Sequence, residues 1–138
     1  MARFIHPVHI RWADIDGYQH VNNSVYLEYL SQARVAMFFH PSMEGRLGFY
    51  DGLVVARHEI DYLRQISYQP TPITVEMWIE EMRGASFVVA AEIHDGDEIA
   101  ARARTTCVRF DFDANSPKRL ADDEREFLNG FVDDKAGA

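Results

Sequence analysis

The longest patterned segment of the chain runs from Asn23 to about His40. In NSVYLEYLSQARVAMFFH, Tyr26, Tyr29, Leu30, Ala33, Met37 and Phe38 recur at helical spacing, while Glu28, Ser31, Gln32 and Val35 share the opposite side. The spacing predicts a helix with a wide apolar arc, mostly buried. Pro41 is expected to end it, because the residue before a proline is steered out of the α region; Gly45 and Gly48 then fall in a loop. Upstream, Val8 to Trp12 reads as a short strand. Downstream, LVVARHEIDYL, ITVEMWIEEM, SFVVAAEI and EIAARARTTCVRFDF are rich in Val, Ile, Thr and aromatics and read as strands. Ile73, Val75, Met77 and Ile79 face one way, with Thr74, Glu76, Trp78 and Glu80 on the other. QPTP at 69–72 breaks the chain between two strands, and Arg83-Gly84-Ala85 and Asp95-Gly96-Asp97 are short links, the second close to a tight hairpin signal. Links this short favour an antiparallel meander, since parallel strands need crossovers of about a dozen residues or more. DDEREFLNGFV predicts a terminal helix at about 120–132 with acidic residues in its first turn, and DDKAGA is expected to fray.

The order strand, long helix, four antiparallel strands implies an α+β fold in which one sheet faces one helix. A sheet covers a helix on one side only, so the wide apolar arc calls for a second cover, and a partner subunit is the obvious one. With 138 residues, 47% of them apolar and 26% charged, the chain reads as a single domain able to bury a real core. The formal charge of −8 argues against nucleic acid or an anionic membrane as the main partner. The N-terminal segment MARFIHPVHIRW lacks a signal-peptide pattern and no apolar run reaches membrane length, so a cytoplasmic location is expected. Cys107 is the single cysteine. No intrachain disulfide or Cys-rich zinc pattern follows, and its strand setting reads as a packed thiol rather than a nucleophile.

Just before the long helix, DIDGYQHVNN gathers Asp14, Asp16, His20, Asn22 and Asn23 within ten residues. A helix start has N–H groups without intrahelical acceptors and carries partial positive charge, so it stabilises an anion, including an oxyanion developing on a carbonyl. Asn22 or Asn23 can cap it, with Ser24 and Val25 among the first donors. A carboxylate held nearby can attack a carbonyl or activate water. Capping and turn roles account for an Asp in such a place equally well. Asp14, Asp16 and His20 as metal ligands leave a poorly defined set, and His6, His9, His40, His58 and His94 show no metal-motif spacing.

The stretch RWADIDGYQHVNNSVYLEYLSQAR resembles the N-terminal signature of hotdog-fold acyl-CoA thioesterases of the 4-hydroxybenzoyl-CoA thioesterase type: R-x-x-D-x-D, a Gly-His-Val-Asn-Asn-like turn, then a helix with an early Tyr. HEIDYLRQISYQPTPITVEMWIEEMRGASF is similar to the second and third strands of that family, and the likeness covers about residues 6–112. The resemblance implies an antiparallel sheet wrapped around a long central helix, subunits paired through their sheets as a homodimer or homotetramer, and hydrolysis of an acyl-CoA to a carboxylic acid and CoA without metal or cofactor. It implies Asp16 as nucleophile or general base, His20 as an orienting group, and Asn23 at the helix start whose N–H polarises the thioester carbonyl. It places Tyr26 as an aromatic lining residue, has the segment from His58 to Arg64, at the end of the first of the four long strands, complete the site across the dimer, and sets Ser86 near the pantetheine and nucleotide end of the ligand. The family pattern has Gly immediately before the His, whereas this chain has Gln19 there and Gly17 beside Asp16. Arg57, His58, Arg64, Arg83, Arg102, Arg104 and Arg109 offer cations for CoA phosphates, although arginines alternating with Ala and Thr on a sheet face are ordinarily just solvated, and Tyr26, Leu30, Phe38 and Phe39 are compatible with an acyl pocket. The alternative on the same fold is an acyl-thioester sensor or carrier without turnover. Asp-x-Asp after a strand also resembles haloacid-dehalogenase-type phosphatases, but those need a larger parallel core, and the Asp-x-Asn-x-x-His arrangement of hotdog hydratases is missing.

Overall fold

A computed structural model describes residues 3–39, 49 and 51–132. Its elements run β1 (Phe4–Val8), a 3-10 turn (Trp12–Asp14), α1 (Asn23–Phe38), β2 (Leu53–Tyr62), β3 (Ile73–Met82), β4 (Ser86–Asp95), β5 (Glu98–Asp111), β6 (Ser116–Pro117) and α2 (Asp122–Asn129). The strands pair in the order β1-β3-β4-β5-β2, with the short β6 added to the end of β5, and all these pairings are antiparallel. This is the α+β hotdog arrangement that the resemblance implies: one antiparallel sheet against one long helix.

Alternation explains the inner face. Ile73, Val75, Met77 and Ile79 of β3 are buried, as are Phe87, Val89, Ala91 and Ile93 of β4, which pair with them or their neighbours. Each large apolar side chain so buried contributes about 1.5–3 kcal/mol relative to exposure. Tyr26, Tyr29, Leu30, Ala33, Met37 and Phe38 of α1 close the core from above. Glu28, Ser31, Gln32 and Val35 are not buried, so one side of the helix remains uncovered in the single chain. Leu30 and Phe38 are buried in the core, where Phe38 packs against Phe49, Phe87 and Phe127. The helix ends ahead of Pro41; that residue, the glycines at 45 and 48 and the DDKAGA tail lie outside the described residues.

Two expectations need correction. The first strand is Phe4–Val8, not Val8–Trp12. Asp14 takes the Arg11 N–H and guanidinium at 2.9 Å each, which winds residues 12–14 into a turn and leaves Trp12 facing solvent. Arg109 is no free cation either. It is buried on β5, pairs with Glu124 of α2 at 3.1 Å and donates to the Gly52 carbonyl, bolting the terminal helix onto the sheet.

The register of β2 shifts between Val55 and Arg57, so Ala56 is an extra residue opposite β5. Past that bulge the even positions pair with the buried alternate residues of β5: His58 with Thr105, Ile60 with Ala103 and Tyr62 with Ala101. Tyr62 is thereby aimed at the start of α1. β2 is also the last strand of the sheet path, with its other edge unpaired among the described residues.

Candidate active site

Residues 15–21 form a closed loop. Ile15 and Val21 make an antiparallel bridge, the Asp16 N–H donates to the His20 carbonyl at 3.0 Å, and the Gln19 N–H donates to the Asp16 carbonyl at 2.9 Å. The Val21 N–H reaches the Ile66 carbonyl at 2.8 Å, anchoring the loop to the segment after β2. Closing so short a loop places Gln19 at φ 65°, in the left-handed region where a Cβ is unfavourable. This is the position where the related motif has Gly.

Inside the loop Asp16 is half-buried and held from two sides. Its Oδ1 accepts the Tyr18 N–H at 2.9 Å, and its Oδ2 accepts the Asn22 carboxamide NH2 at 3.3 Å. Asn22 is also the cap of α1: its Oδ1 accepts the Ser24 N–H at 3.0 Å and the Ser24 hydroxyl at 2.8 Å. One side chain therefore joins the carboxylate to the helix start. Among the described residues no acceptor takes the Asn23 N–H, which stands at the positive end of α1.

Asp14 has a different duty. It is buried, and besides the Arg11 groups it accepts the Tyr29 hydroxyl at 2.7 Å. Burial pushes its carboxyl up, but the hydrogen bonds from the Arg11 side chain, the Arg11 N–H and Tyr29 outweigh this and hold it below the ordinary carboxylate range. The Tyr29 hydroxyl is driven far upward by burial and by Asp14. With its oxygens taken, Asp14 is a fixture under the loop, not a metal ligand shared with Asp16 and His20.

Asp16, His20, Asn23, Tyr26 and Arg64 line one cavity of about 430 Å³, together with Tyr62. Tyr62 donates to the Asn23 carbonyl at 3.2 Å and meets Tyr26 edge-on at 5.1 Å; Tyr26 donates to the Arg64 carbonyl at 3.2 Å. The two tyrosines thus tie the helix start to the end of β2. The Nδ1 of His20 is buried there without a hydrogen-bond partner among the described residues. Asp16 also lines a second cavity of about 580 Å³, whose walls include Trp12 and Tyr68, packed edge-to-face at 5.4 Å.

Two site candidates lie elsewhere. His58 accompanies Thr105, its Nδ1 3.0 Å from the Thr105 hydroxyl, and burial and then nearby Arg34 lower its pKa. It is four residues before Tyr62, about 13 Å along the strand. Ser86 lines a cavity of about 370 Å³ with Arg57, Arg83 and Arg104, on the sheet face turned away from α1. Each of those arginines has a carboxylate: Glu59, Glu81 and Glu80, at 2.9 Å each. Tyr62 was not singled out for the site from sequence, and Asn22 only as a candidate helix cap. Tyr62 shares the i, i+2 alternation of His58 and Ile60, which is the signal that marks it.

No curated protein sequence matches the chain. Among solved structures it is similar to a predicted thioesterase from Bacillus stearothermophilus, with 29% identity, 95% of this chain and 97% of that one covered, and a TM-score of 0.85. It is similar to a thioesterase from Thermus thermophilus complexed with coenzyme A and Zn, with 28% identity, 92% of each chain covered and a TM-score of 0.80. A 1,4-dihydroxy-2-naphthoyl-CoA thioesterase from Synechocystis shares the fold at 19% identity, with 92% of this chain and 96% of that one covered and a TM-score of 0.78. Residues 10–128 match the thioesterase-like superfamily, and an enzyme of the thioester-hydrolase kind is what these likenesses support. The chain belongs to the thioesterase-like superfamily.

Proposed function

We propose that the chain hydrolyses an acyl-CoA to a carboxylic acid and CoA in the cavity between the 15–21 loop and the start of α1. One observation carries this reading: Asp16 and Asn23 line the same cavity, and Asn22 bonds both the Asp16 carboxylate and the Ser24 N–H of the first helical turn. The thioester carbonyl oxygen would lie at the Asn23 N–H, where the helix end stabilises the negative charge that develops on addition. Asp16 either takes the proton of an attacking water or adds to the carbonyl itself, forming an anhydride that water then opens. Both routes end alike. The C–S bond breaks, CoA leaves as the thiol, and the acid carries an oxygen from water. His20, which lines the same cavity, would orient the water or Asp16. Tyr26 would line the acyl side, and Arg64, exposed and 3.5 Å from Glu98, would meet the anionic end of CoA.

A homodimer, or a homotetramer built from such dimers, completes the reading. The free edge of β2 offers ten residues of ladder to a second copy. Arg34 of α1 has a buried Nη1 without a hydrogen-bond partner among the described residues, and burial lowers the guanidinium's pKa. A second copy along β2 would supply acceptors to Arg34 and bring His58 and Ser86 toward the neighbour's ligand. A cytoplasmic location accords with a lone reduced cysteine and with CoA substrates. Among the described residues no helix is long and apolar enough to cross a membrane.

The test is thiol release from a panel of acyl-CoAs of differing chain length and aromaticity. Turnover of at least one supports the reading. Binding of acyl-CoA without release from any would replace it with the sensor or carrier reading.

A further inference from the structure

The face of the sheet turned away from α1 carries a second cluster, unconnected with Asp16. Glu76 of β3 and Glu92 of β4 are direct register partners, and His94 follows Glu92 by two residues, so all three side chains stand on one face. The His94 Nε2 lies 3.1 Å from Glu92 Oε1 and 3.5 Å from Glu76 Oε2, and one ligand atom from each residue lies within 4.8 Å of the others. A tetrahedral zinc ion with ligands at about 2.0–2.1 Å separates them by about 3.3–3.4 Å, so the two measured separations bracket the edge of such a tetrahedron. The three side chains are 24%, 13% and 22% exposed, which shields them on the protein side and leaves an open direction for a fourth ligand.

The cluster already attracts positive charge. The Arg3 Nη1 lies 2.7 Å from Glu92 Oε1 and 3.3 Å from Glu76 Oε1, while its guanidinium lies over the Trp78 ring at 3.8 Å. Glu92 Oε1 is thus shared by Arg3 and His94. Arg3 immediately precedes β1 rather than sitting inside a strand, so its side chain can give way without disturbing the ladder.

We propose that Glu76, Glu92 and His94 form a divalent transition-metal site of the zinc type on the outer face of the sheet, and that metal and Arg3 compete for the same carboxylate oxygens. The imidazole selects zinc-like ions over magnesium or calcium, which prefer all-oxygen sets. Loading the site cross-links β3 to β4 and moves Arg3 away from Trp78. Its place behind the sheet gives it no part in chemistry at Asp16.

Zinc chloride titrated into the chelator-treated full chain by calorimetry tests this directly. The wild type should bind one Zn²⁺ per chain at this site, and His94→Ala and Glu92→Gln should each weaken binding by more than about tenfold, a scale that even outer-shell losses reach. Arg3→Ala should bind more tightly, because its competitor is gone. In a Trp12→Phe background, Trp78 emission should change on loading, and that change should vanish when the Arg3→Ala, Trp12→Phe protein is titrated likewise. Circular dichroism of the unloaded variants checks that each is folded. Absence of binding to the wild type, or equal zinc affinity in the wild type and the folded His94→Ala and Glu92→Gln variants, would overturn the site; no tightening in Arg3→Ala would overturn the competition.

Discussion

Gln19 is where the chain departs from its motif, and the cost of that departure follows from the backbone. At φ 65° an L-residue suffers a clash between its Cβ and the following carbonyl, worth about 1–2 kcal/mol. Gln19→Gly removes the clash, at the cost of about 0.5–1 kcal/mol for the extra freedom a glycine loses on folding. The Gln19 side chain is exposed and its backbone N–H bond to Asp16 survives the change, so little else is lost. The variant should gain about 0.5–1 kcal/mol. With a urea slope of about 1.5–2 kcal/mol/M for a chain of this size, the unfolding midpoint should rise by about 0.3–0.7 M at fixed protein concentration. Gln19→Ala keeps the Cβ and should leave the midpoint nearly unchanged. If Gly and Ala shift the midpoint alike, or Gly lowers it, the strain does not reside in this residue and the loop geometry is wrong.

Other expectations follow from the buried polar groups. Glu124→Ala leaves the Arg109 charge buried without its carboxylate and should cost about 3–5 kcal/mol in urea unfolding, whereas an exposed acidic residue such as Glu126 should tolerate the same change. Tyr29→Phe removes the hydroxyl bound to Asp14 and should cost about 1.5–3 kcal/mol at pH 7. Because the folded Asp14 carboxyl is held below its ordinary value, its contribution is complete above about pH 4 and fades as pH falls through that lowered value; the gap between wild type and Tyr29→Phe should narrow over the same range. Cys107 is buried and its thiol is pushed up to about 11 by burial, against a smaller opposing effect of Arg34, so a disulfide reagent at pH 8 should react with it only after denaturant is added.

Much of the fold was legible because its strands alternate cleanly and its helix keeps a 3.6-residue period. Ile73 to Ile79 gave their inner face directly, and Tyr26 to Phe38 gave theirs. The bulge at Ala56 was not legible: an extra residue in a strand leaves no mark in apolar spacing, yet it decides that Tyr62 reaches the cavity. Ile10 and Trp12 looked like strand because their apolar character hid the grip of Asp14 on Arg11. Arg109 looked like a surface cation because its partner lies fifteen residues away on another element. At the site, residue types and spacing marked Asp16, His20 and Asn23, which line one cavity. The dual role of Asn22 emerged only from loop closure, which brings its carboxamide to the carboxylate while its oxygen caps the helix.

The most direct test of the account compares thiol release from acyl-CoA by wild type and Asp16→Ala, with acyl-CoA binding measured on both proteins. Loss of general-base action costs about 10²–10⁴ in rate, and loss of a covalent nucleophile at least as much. The account predicts a fall in kcat of that size with acyl-CoA still bound, since the Asn23 N–H and the tyrosine walls remain. Turnover in Asp16→Ala within a few-fold of wild type would contradict it and move the chemistry away from this loop.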